Sequence, residues 1–189
     1  RAVAETGLAP VQARAALPRG ALDAALHFHA RGDEAMAERL RAEDLSEMRF
    51  RDRVAHAVRL RLELAEEHRE AVRRGMALFA LPMHAAEGVR ANWATADAIW
   101  DALGDRSDDV NWYTKRATLG GVYSSTVLFW LGDTSEGHAD TWAFLDRRID
   151  NVMQIEKLKA QVRESPTLSR LMAGPHWLMD RIKAPARFP

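Results

Sequence analysis

The chain of 189 residues balances 27 Lys and Arg against 27 Asp and Glu and contains no cysteine. This length suits one domain, or one domain with an appendage, and such a chain can bury about 70% of the surface that its unfolded form exposes. The absence of cysteine excludes a disulfide scaffold, a thiolate metal site and a thiol nucleophile, and the zero net charge disfavours a protein that coats a polyanion.

Two short helices are predicted before residue 19, one on each side of Gly7. Pro10 stands where a helix can begin, and a tight turn between two short helices is typical of a helix-turn-helix. A third helical stretch covers residues 20–44 and is interrupted by Gly32, which costs roughly 1 kcal/mol relative to Ala. Residues 1–45 are therefore predicted to form a helix-turn-helix-like region. Because the chain begins with Arg1 and not with Met, a truncated version of that region is an open alternative.

The longest periodic run covers residues 46–80, with Ser46 as the predicted N-cap and Pro82 as its end. Its apolar residues recur at helical spacing and predict one buried stripe. The stripe consists of Phe50, Val54, Val58, Leu62 and Ala65.

Three further helices are predicted in a domain that covers residues 46–165. The first covers residues 84–103 and ends at Gly104, a residue that favours helix C-caps. The second covers residues 110–131, and because residues 127–131 are apolar all round, they are predicted to be buried on every side. Asp133 and Glu136 have the spacing of a capping box for the third helix. In that helix a single apolar stripe is formed by Trp142, Leu145, Ile149 and Val152.

The sequence contains no recognisable catalytic or metal-binding motif. None of the seven His residues follows a Glu by three positions, and there is no His-Glu-x-x-His run, phosphate-binding loop or Gly-x-Gly-x-x-Gly. His27 and His29 point in different directions on a helix, so we interpret them as partly exposed helix residues. These absences predict a protein without enzymatic activity, catalytic residues or a metal.

Aromatic residues are concentrated in the second half, since all six Trp and both Tyr follow residue 92. They can form a plain aromatic core or enclose a cavity between three helices, and the spacing alone does not decide. Asn111, Trp112 and Tyr113 are consecutive and point about 100° apart on a helix. At least one of the two aromatic rings is therefore expected near the surface, where it could anchor a protein interface. The alternative, which the spacing leaves open, is that these aromatic residues belong to the core.

The last part of the chain is basic, with seven basic and two acidic residues from Lys157 to Pro189. Apolar and basic residues interleave there, which is typical of a helix that lies on a membrane surface, although docking on its own domain or on a second subunit is the alternative. We predict that residues 166–189 form a C-terminal amphipathic membrane-associating helix and tail. The predicted membrane contacts are Leu171, Trp177, Leu178, Arg181 and Ile182.

One run of residues resembles a known family. Asp-Val-Asn-Trp-Tyr-Thr-Lys-Arg at residues 109–116 follows Trp100 and Gly104-Asp105 at a fixed distance, and Thr-Trp-Ala-Phe-Leu-Asp-Arg-Arg-Ile follows at residues 141–149. In these features the chain closely resembles the COQ-nine (COQ9) family, the accessory lipid-binding proteins of ubiquinone biosynthesis. The resemblance is dense over residues 79–153 and looser over residues 1–78.

The resemblance implies an all-α, TetR-like fold, a homodimer and no enzymatic activity. It implies a bound isoprenoid lipid or quinone but no other cofactor, peripheral attachment to membrane lipids, and docking on the di-iron enzyme demethoxyubiquinone hydroxylase. The implied location is the bacterial cytoplasm at the inner membrane, or the matrix side of the mitochondrial inner membrane in a eukaryote.

Site residues follow from the same resemblance. The family's docking patch would correspond to Asp97, Ile99, Trp100, Asp109, Trp112 and Tyr113. The expected lining of the lipid pocket is Leu78, Met83, Leu119, Val122, Tyr123, Thr126, Trp130, Trp142, Leu145 and Ile149.

A TetR-type, ligand-responsive repressor is the alternative function. Its recognition helix would lie near residues 9–17, where only Gln12 and Arg14 could contact bases or phosphates. The neutral net charge also disfavours tight DNA binding, so we expect no nucleic acid partner.

Overall fold

The computed structural model describes residues 7, 9–164 and 184 of the chain. Within these residues there is no β-strand, and the all-α prediction is confirmed. The α-helices that the described residues form are α1 (Pro10–Ala16), α2 (Ala21–Ala42), α3 (Phe50–Glu63), α4 (Arg69–Phe79), α5 (Ala85–Ala102), α6 (Val110–Gly132) and α7 (Ala139–Glu164).

The core is one apolar cluster that draws on five of the helices. α2 packs along α5, α5 packs on α6 and α6 packs on α7, while α3 bridges α2 and α7. Met36, Val58, Ile99 and Trp130 are completely buried at the centre. The cluster therefore joins the predicted N-terminal region to the predicted helical domain through α2.

The prediction of one continuous helical run over residues 46–80 is wrong. Arg49, and not Ser46, is the N-cap of α3, and a 3₁₀ turn at Glu66–His68 separates α3 from α4. The reason is tertiary, because the turn brings two α4 guanidinium groups to the carboxyl end of α6. Arg69 donates to the carbonyl oxygens of Trp130 and Asp133, and Arg73 donates to that of Leu131 at 2.7 Å. These bonds bring side-chain donors to the carbonyl groups at the helix end, of which that of Trp130 also accepts from the Asp133 N–H.

The buried stripe predicted along that run is confirmed for Val54, Val58, Leu62 and Ala65. Phe50 departs from it, because half of its surface is exposed and its ring stacks on Trp100 at 5.7 Å between centroids.

α5 ends as predicted, and Gly104 follows it with a φ of 78°. The prediction that residues 127–131 are buried on every side is wrong. Val127, Trp130 and Leu131 are buried, but Leu128 is 61% exposed. Phe129 is also exposed, and its ring stacks on Phe144 of α7 at 4.6 Å. The described helices cover one face of α6 and leave an apolar strip on the other.

The predicted capping box of Asp133 with Glu136 is also wrong. The Asp133 carboxylate instead reaches into the first turn of α7, where it accepts from the Thr141 N–H at 3.0 Å and the Thr141 hydroxyl at 2.5 Å. It also accepts from the Ser135 N–H at 2.8 Å. The hydrogen bond from the Thr141 hydroxyl is the leading cause that lowers the pKa of Asp133.

Both ends of the prediction extend past the described residues. α1 covers the predicted recognition segment, but the helix expected before Gly7 lies outside the described residues, and so do Leu171, Trp177, Leu178, Arg181 and Ile182. Among the helices that are described, none combines the length and the apolar character that crossing a membrane requires.

Candidate functional site

A cavity of about 950 Å³ lies between α2, α3, α4, α5 and α6. Its volume is at the upper end of the roughly 300–1,000 Å³ typical of small-molecule sites. Exposed Val89 marks its mouth, and buried Leu62 and Val127 lie at its floor. Small residues of α2, among them Ala21, Ala24 and Ala25, form much of one wall. The cavity can therefore hold a large, mainly apolar molecule.

α4 covers this cavity without being part of the core. None of its residues is fully buried, and Val72, Met76 and Phe79 line the cavity. Its C-terminal end approaches α5 closely, since a Cβ atom placed on Gly88 would lie 2.8 Å from the Cβ of Phe79. α4 thus shields the cavity from solvent while making few buried contacts of its own.

The floor of the cavity carries a buried ion pair. The Nε of Arg61 donates to Asp33 at 2.8 Å, and its Nη2 donates to the His29 carbonyl at 3.1 Å. The guanidinium lies against the backbone of α2, where a Cβ atom on Gly32 would be 2.5 Å from its Cζ atom. Gly32, which interrupts the helical pattern of α2, is therefore the residue that makes room for Arg61.

Three further polar side chains adjoin this pair. The Thr95 hydroxyl donates to Asp33 at 3.0 Å, and the His29 Nε2 lies 2.7 Å from that hydroxyl. Burial lowers the pKa of His29 and raises the pKa of the Tyr123 hydroxyl, so both groups are neutral near pH 7. Arg61, His29, Tyr123 and Asn92 all line the cavity. We name Asp33, Arg61, Thr95, His29 and Tyr123 the floor cluster.

The predicted pocket residues fall in several places. Leu78 and Tyr123 line the large cavity, whereas Leu119, Val122 and Ile149 line a second cavity of about 210 Å³. Met83 is 76% exposed. The remaining residues belong to the core or pack against it, and these are Thr126, Trp130, Trp142 and Leu145. The structure therefore brings two of the ten residues into the large cavity, and a lipid-binding role for any of the ten stays a prediction.

The predicted docking residues divide into buried and exposed ones. Ile99, Trp100 and Trp112 are buried. Tyr113 is exposed and contacts the Trp112 ring edge-on, and exposed Asp109 caps α6 by accepting from the Asn111 N–H at 2.8 Å. Only part of the predicted patch is thus available to a partner.

Asp97, the sixth docking residue, belongs to a charged group where α5 meets α6. Arg116 is completely buried and donates to Asp97, its Nη1 lies 3.2 Å from Asp105, and its Nη2 lies 3.5 Å from Asp101. Lys115 donates to Asp105 at 2.8 Å. Burial acts to raise the pKa of Asp105, but hydrogen bonds from Lys115, Ser107 and Arg116 outweigh it and hold that pKa at about 2. We name Asp97, Asp101, Asp105, Lys115 and Arg116 the joint cluster.

The sequence analysis missed the floor cluster, apart from Tyr123. Its main signals were His29 and Asp33 at i and i+4 on α2, together with Arg61 three residues after Val58 and so on the buried face of α3. His29 is partly exposed, as predicted, but its Nε2 also contacts the Ala91 carbonyl and the Thr95 hydroxyl, which the sequence did not indicate. In the part of the chain that the structure describes, no three His, Asp or Glu side chains are grouped as a metal site would need.

Comparison with known proteins gives one family. Residues 85–156 match the family described as COQ9. The chain is 33% identical over 129 residues to the probable ubiquinone biosynthesis protein coq9, mitochondrial, of Dictyostelium discoideum, a match that covers 68% of this chain and 42% of that protein.

Two animal relatives agree with this match. The ubiquinone biosynthesis protein COQ9, mitochondrial, is 38% identical over 110 residues in Drosophila melanogaster and 32% identical over 109 residues in Homo sapiens. Each alignment covers 58% of this chain and 34% of the relative. The chain thus spans between a third and a half of the length of these relatives, and the family match contains the joint cluster but not Asp33 or Arg61.

Proposed function

We propose, on the premise that this chain belongs to the COQ9 family, that it is a non-enzymatic accessory protein of ubiquinone biosynthesis. It binds an isoprenoid lipid or quinone precursor and presents it to demethoxyubiquinone hydroxylase. The observation that carries the proposal is the cavity of about 950 Å³ between α2 and α6, whose walls are largely apolar.

The physical need for such a protein follows from the ligand. A polyisoprenoid tail is nearly insoluble in water, and its transfer out of a bilayer requires new apolar contacts. A helical cavity supplies them, at roughly 0.8 kcal/mol for each buried methylene. Small residues on α2 and the amphipathic cover α4 leave room for the tail without opening the core.

The joint cluster and its neighbours support the presentation step. Three carboxylates against two basic side chains give this surface a negative balance, and exposed Tyr113 and Asp109 lie beside it in sequence. An aromatic anchor next to carboxylates suits a protein partner with a basic surface. Trp112 supports this surface from below, because it is buried with the Arg116 guanidinium 4.1 Å from its ring centroid.

We further propose that the protein works as a homodimer at a membrane surface, at the bacterial inner membrane or on the matrix side of the mitochondrial one. The net basic tail after residue 165 supports membrane contact, and the exposed strip of Leu128 and Phe129 supports a second subunit. Deletion of residues 166–189 is expected to reduce pelleting with anionic liposomes, and unchanged pelleting would count against this element. For the repressor alternative, α1 carries only Gln12 and Arg14 as side chains that could contact bases or phosphates, and the Gln12 Oε1 accepts from the Ala9 N–H at 3.2 Å.

Native mass spectrometry with lipid extraction tests the binding step. The expected result is a co-purified isoprenoid or quinone. Ala25→Phe places a ring at the cavity wall and should lower the bound fraction, while Ala35→Phe, on the exposed side of the same helix, should not. An empty wild-type protein, or a full complement of lipid in Ala25→Phe, would contradict the proposal.

The presentation step has its own test. Tyr113→Ala should abolish co-purification with the hydroxylase while the helical content stays that of wild type, and the lost contact with the Trp112 ring should lower the melting temperature only modestly. Val11→Ala is the control, since Val11 is 77% exposed on α1 and lies in neither the proposed docking surface nor the proposed subunit contact. Equal co-purification of Tyr113→Ala and wild type would contradict docking at this surface.

A further inference from the structure

We propose that the floor cluster makes the cavity selective for an apolar chain with an uncharged, oxygen-bearing head group over the same chain with an anionic head group. This inference rests on the proposed function, because it concerns which isoprenoid the cavity accepts. It names Arg61, His29 and Tyr123 as specificity-determining residues, and Asp33 as a residue that acts through Arg61.

Few places on the cavity wall suit a polar head group. Most of the wall is Ala, Gly, Leu, Val, Met and Phe, and the polar side chains on it are few. Arg74 is 80% exposed by its side chain and pairs with Glu70 at 2.9 Å, and the Ser124 hydroxyl donates to the Gly121 carbonyl within α6. The buried polar groups are therefore gathered at the floor, so a chain with one polar end is best accommodated with that end inward.

The floor of the cavity carries no net charge. Arg61 is the cation on the buried wall, and it is neutralised by Asp33, which lies behind it and does not line the cavity. His29 and Tyr123 are uncharged because burial disfavours their ionised forms. The floor thus has a dipole whose positive end, the guanidinium, faces the ligand, but it has no net charge.

The floor of the cavity offers hydrogen-bond donors to a head group. The Arg61 guanidinium binds Asp33 through Nε and the His29 carbonyl through Nη2, and it also lines the cavity. Asn92 also lines the cavity, but its Oδ1 is enclosed and accepts no hydrogen bond from the described residues. The guanidinium of Arg61 and the hydroxyl of Tyr123, both on the cavity lining, are donors that fit a head group with carbonyl or hydroxyl oxygens.

An anionic head group costs more to bury at this floor than an uncharged one. A buried anion needs a compensating cation, since its transfer from water is far more costly than that of a neutral polar group. Arg61 cannot give that compensation without leaving Asp33 uncompensated. A carbonyl or hydroxyl oxygen needs only the hydrogen bond and the dipole, so the floor accepts it and rejects a phosphate or diphosphate.

The experiment compares two probes with one tail. Geranylgeraniol and geranylgeranyl diphosphate are titrated into delipidated protein below their critical micelle concentrations and without divalent cations, with Trp fluorescence and native mass spectrometry as readouts. Wild type should bind the alcohol more tightly by roughly tenfold or more. Equal affinities, or tighter binding of the diphosphate, would overturn the inference and leave the proposed function standing. Binding of neither probe would overturn both.

Asp33→Asn sharpens the test, because it keeps the shape of the side chain and leaves Arg61 as an uncompensated cation. The affinity ratio should shift toward the diphosphate by roughly tenfold or more. Asp146→Asn is the matched control: it removes one carboxylate from the exposed surface, 3.7 Å from Arg51, and should leave the ratio unchanged. A ratio that Asp33→Asn leaves unchanged would overturn the inference, and the wild-type comparison decides it if this variant fails to fold.

Discussion

The floor cluster and the joint cluster are built from the same chemical groups in opposite settings. In the floor cluster, the buried Arg61 meets one buried carboxylate, that of Asp33. In the joint cluster, the buried Arg116 meets three carboxylates, and the side chains of Asp97 and Asp101 are about 40% exposed. The floor pair is closed and neutral, whereas the joint has surplus negative charge in contact with water.

This difference shows how one ion-pair chemistry can be used in two ways. A closed pair inside the protein presents a dipole but no net charge, which suits recognition of an uncharged ligand. An open pair at the surface anchors two helices through its buried cation and offers its outer carboxylates to a partner. Removal of the cation should lower the unfolding free energy most in the floor cluster, because the remaining carboxylate there cannot reach water.

The largest effect is expected for Arg61→Met. The variant leaves Asp33 buried without its cation, and such a loss typically costs about 3–5 kcal/mol. The double variant Asp33→Leu, Arg61→Met removes both charges and should recover much of that stability. Urea denaturation of the four proteins in this double-mutant cycle measures the coupling, and additive costs would contradict a closed pair.

A smaller effect is expected for Arg116→Met. The exposed oxygens of Asp97 and Asp101 can hydrate when the guanidinium is removed, and Lys115 still donates to Asp105. Loss of the charge-assisted hydrogen bonds should cost roughly 1.5–3 kcal/mol. The same urea titration measures it, and a cost equal to that of Arg61→Met would remove the distinction between the two clusters.

Gly32→Ala tests the space around the floor pair. The new methyl group would lie 2.5 Å from Arg61 Cζ and displace the guanidinium from Asp33. A cost of roughly 1–3 kcal/mol is expected for such overpacking. Gly121→Ala is the control, because its Cβ meets no heavy atom within 4 Å and an exposed helix should gain up to about 1 kcal/mol from Ala. A higher unfolding free energy in both variants would show that the Arg61 side chain can move away at little cost, and it would contradict the prediction.

The sequence predicted the periodic parts of this molecule and missed what depends on contacts between distant segments. Helix α5 and the buried stripe of α3 follow from spacing and from Gly104, both of which are local. The break at Glu66–His68 does not follow from local sequence, because it depends on the contacts of Arg69 and Arg73 with the distant end of α6. The floor cluster is missed for the same reason: Asp33, Arg61 and Thr95 lie on three different helices, and only the tertiary fold brings them together.

The smallest effect concerns acid, and Asp105 is the group of the joint cluster that tests it. Asp105 has its pKa lowered from 3.8 to about 2, because hydrogen bonds from Lys115, Ser107 and Arg116 outweigh its burial. Between these values the unfolded chain binds more protons than the folded one, so the contribution of Asp105 is complete above about pH 4 and is lost as the pH falls toward 2. Asp105→Asn should therefore flatten the fall in unfolding free energy over that range, measured by urea denaturation at successive pH values. The exposed Asp146→Asn should leave the slope as in wild type, and an unchanged slope in Asp105→Asn would mean that the acid sensitivity lies in other groups.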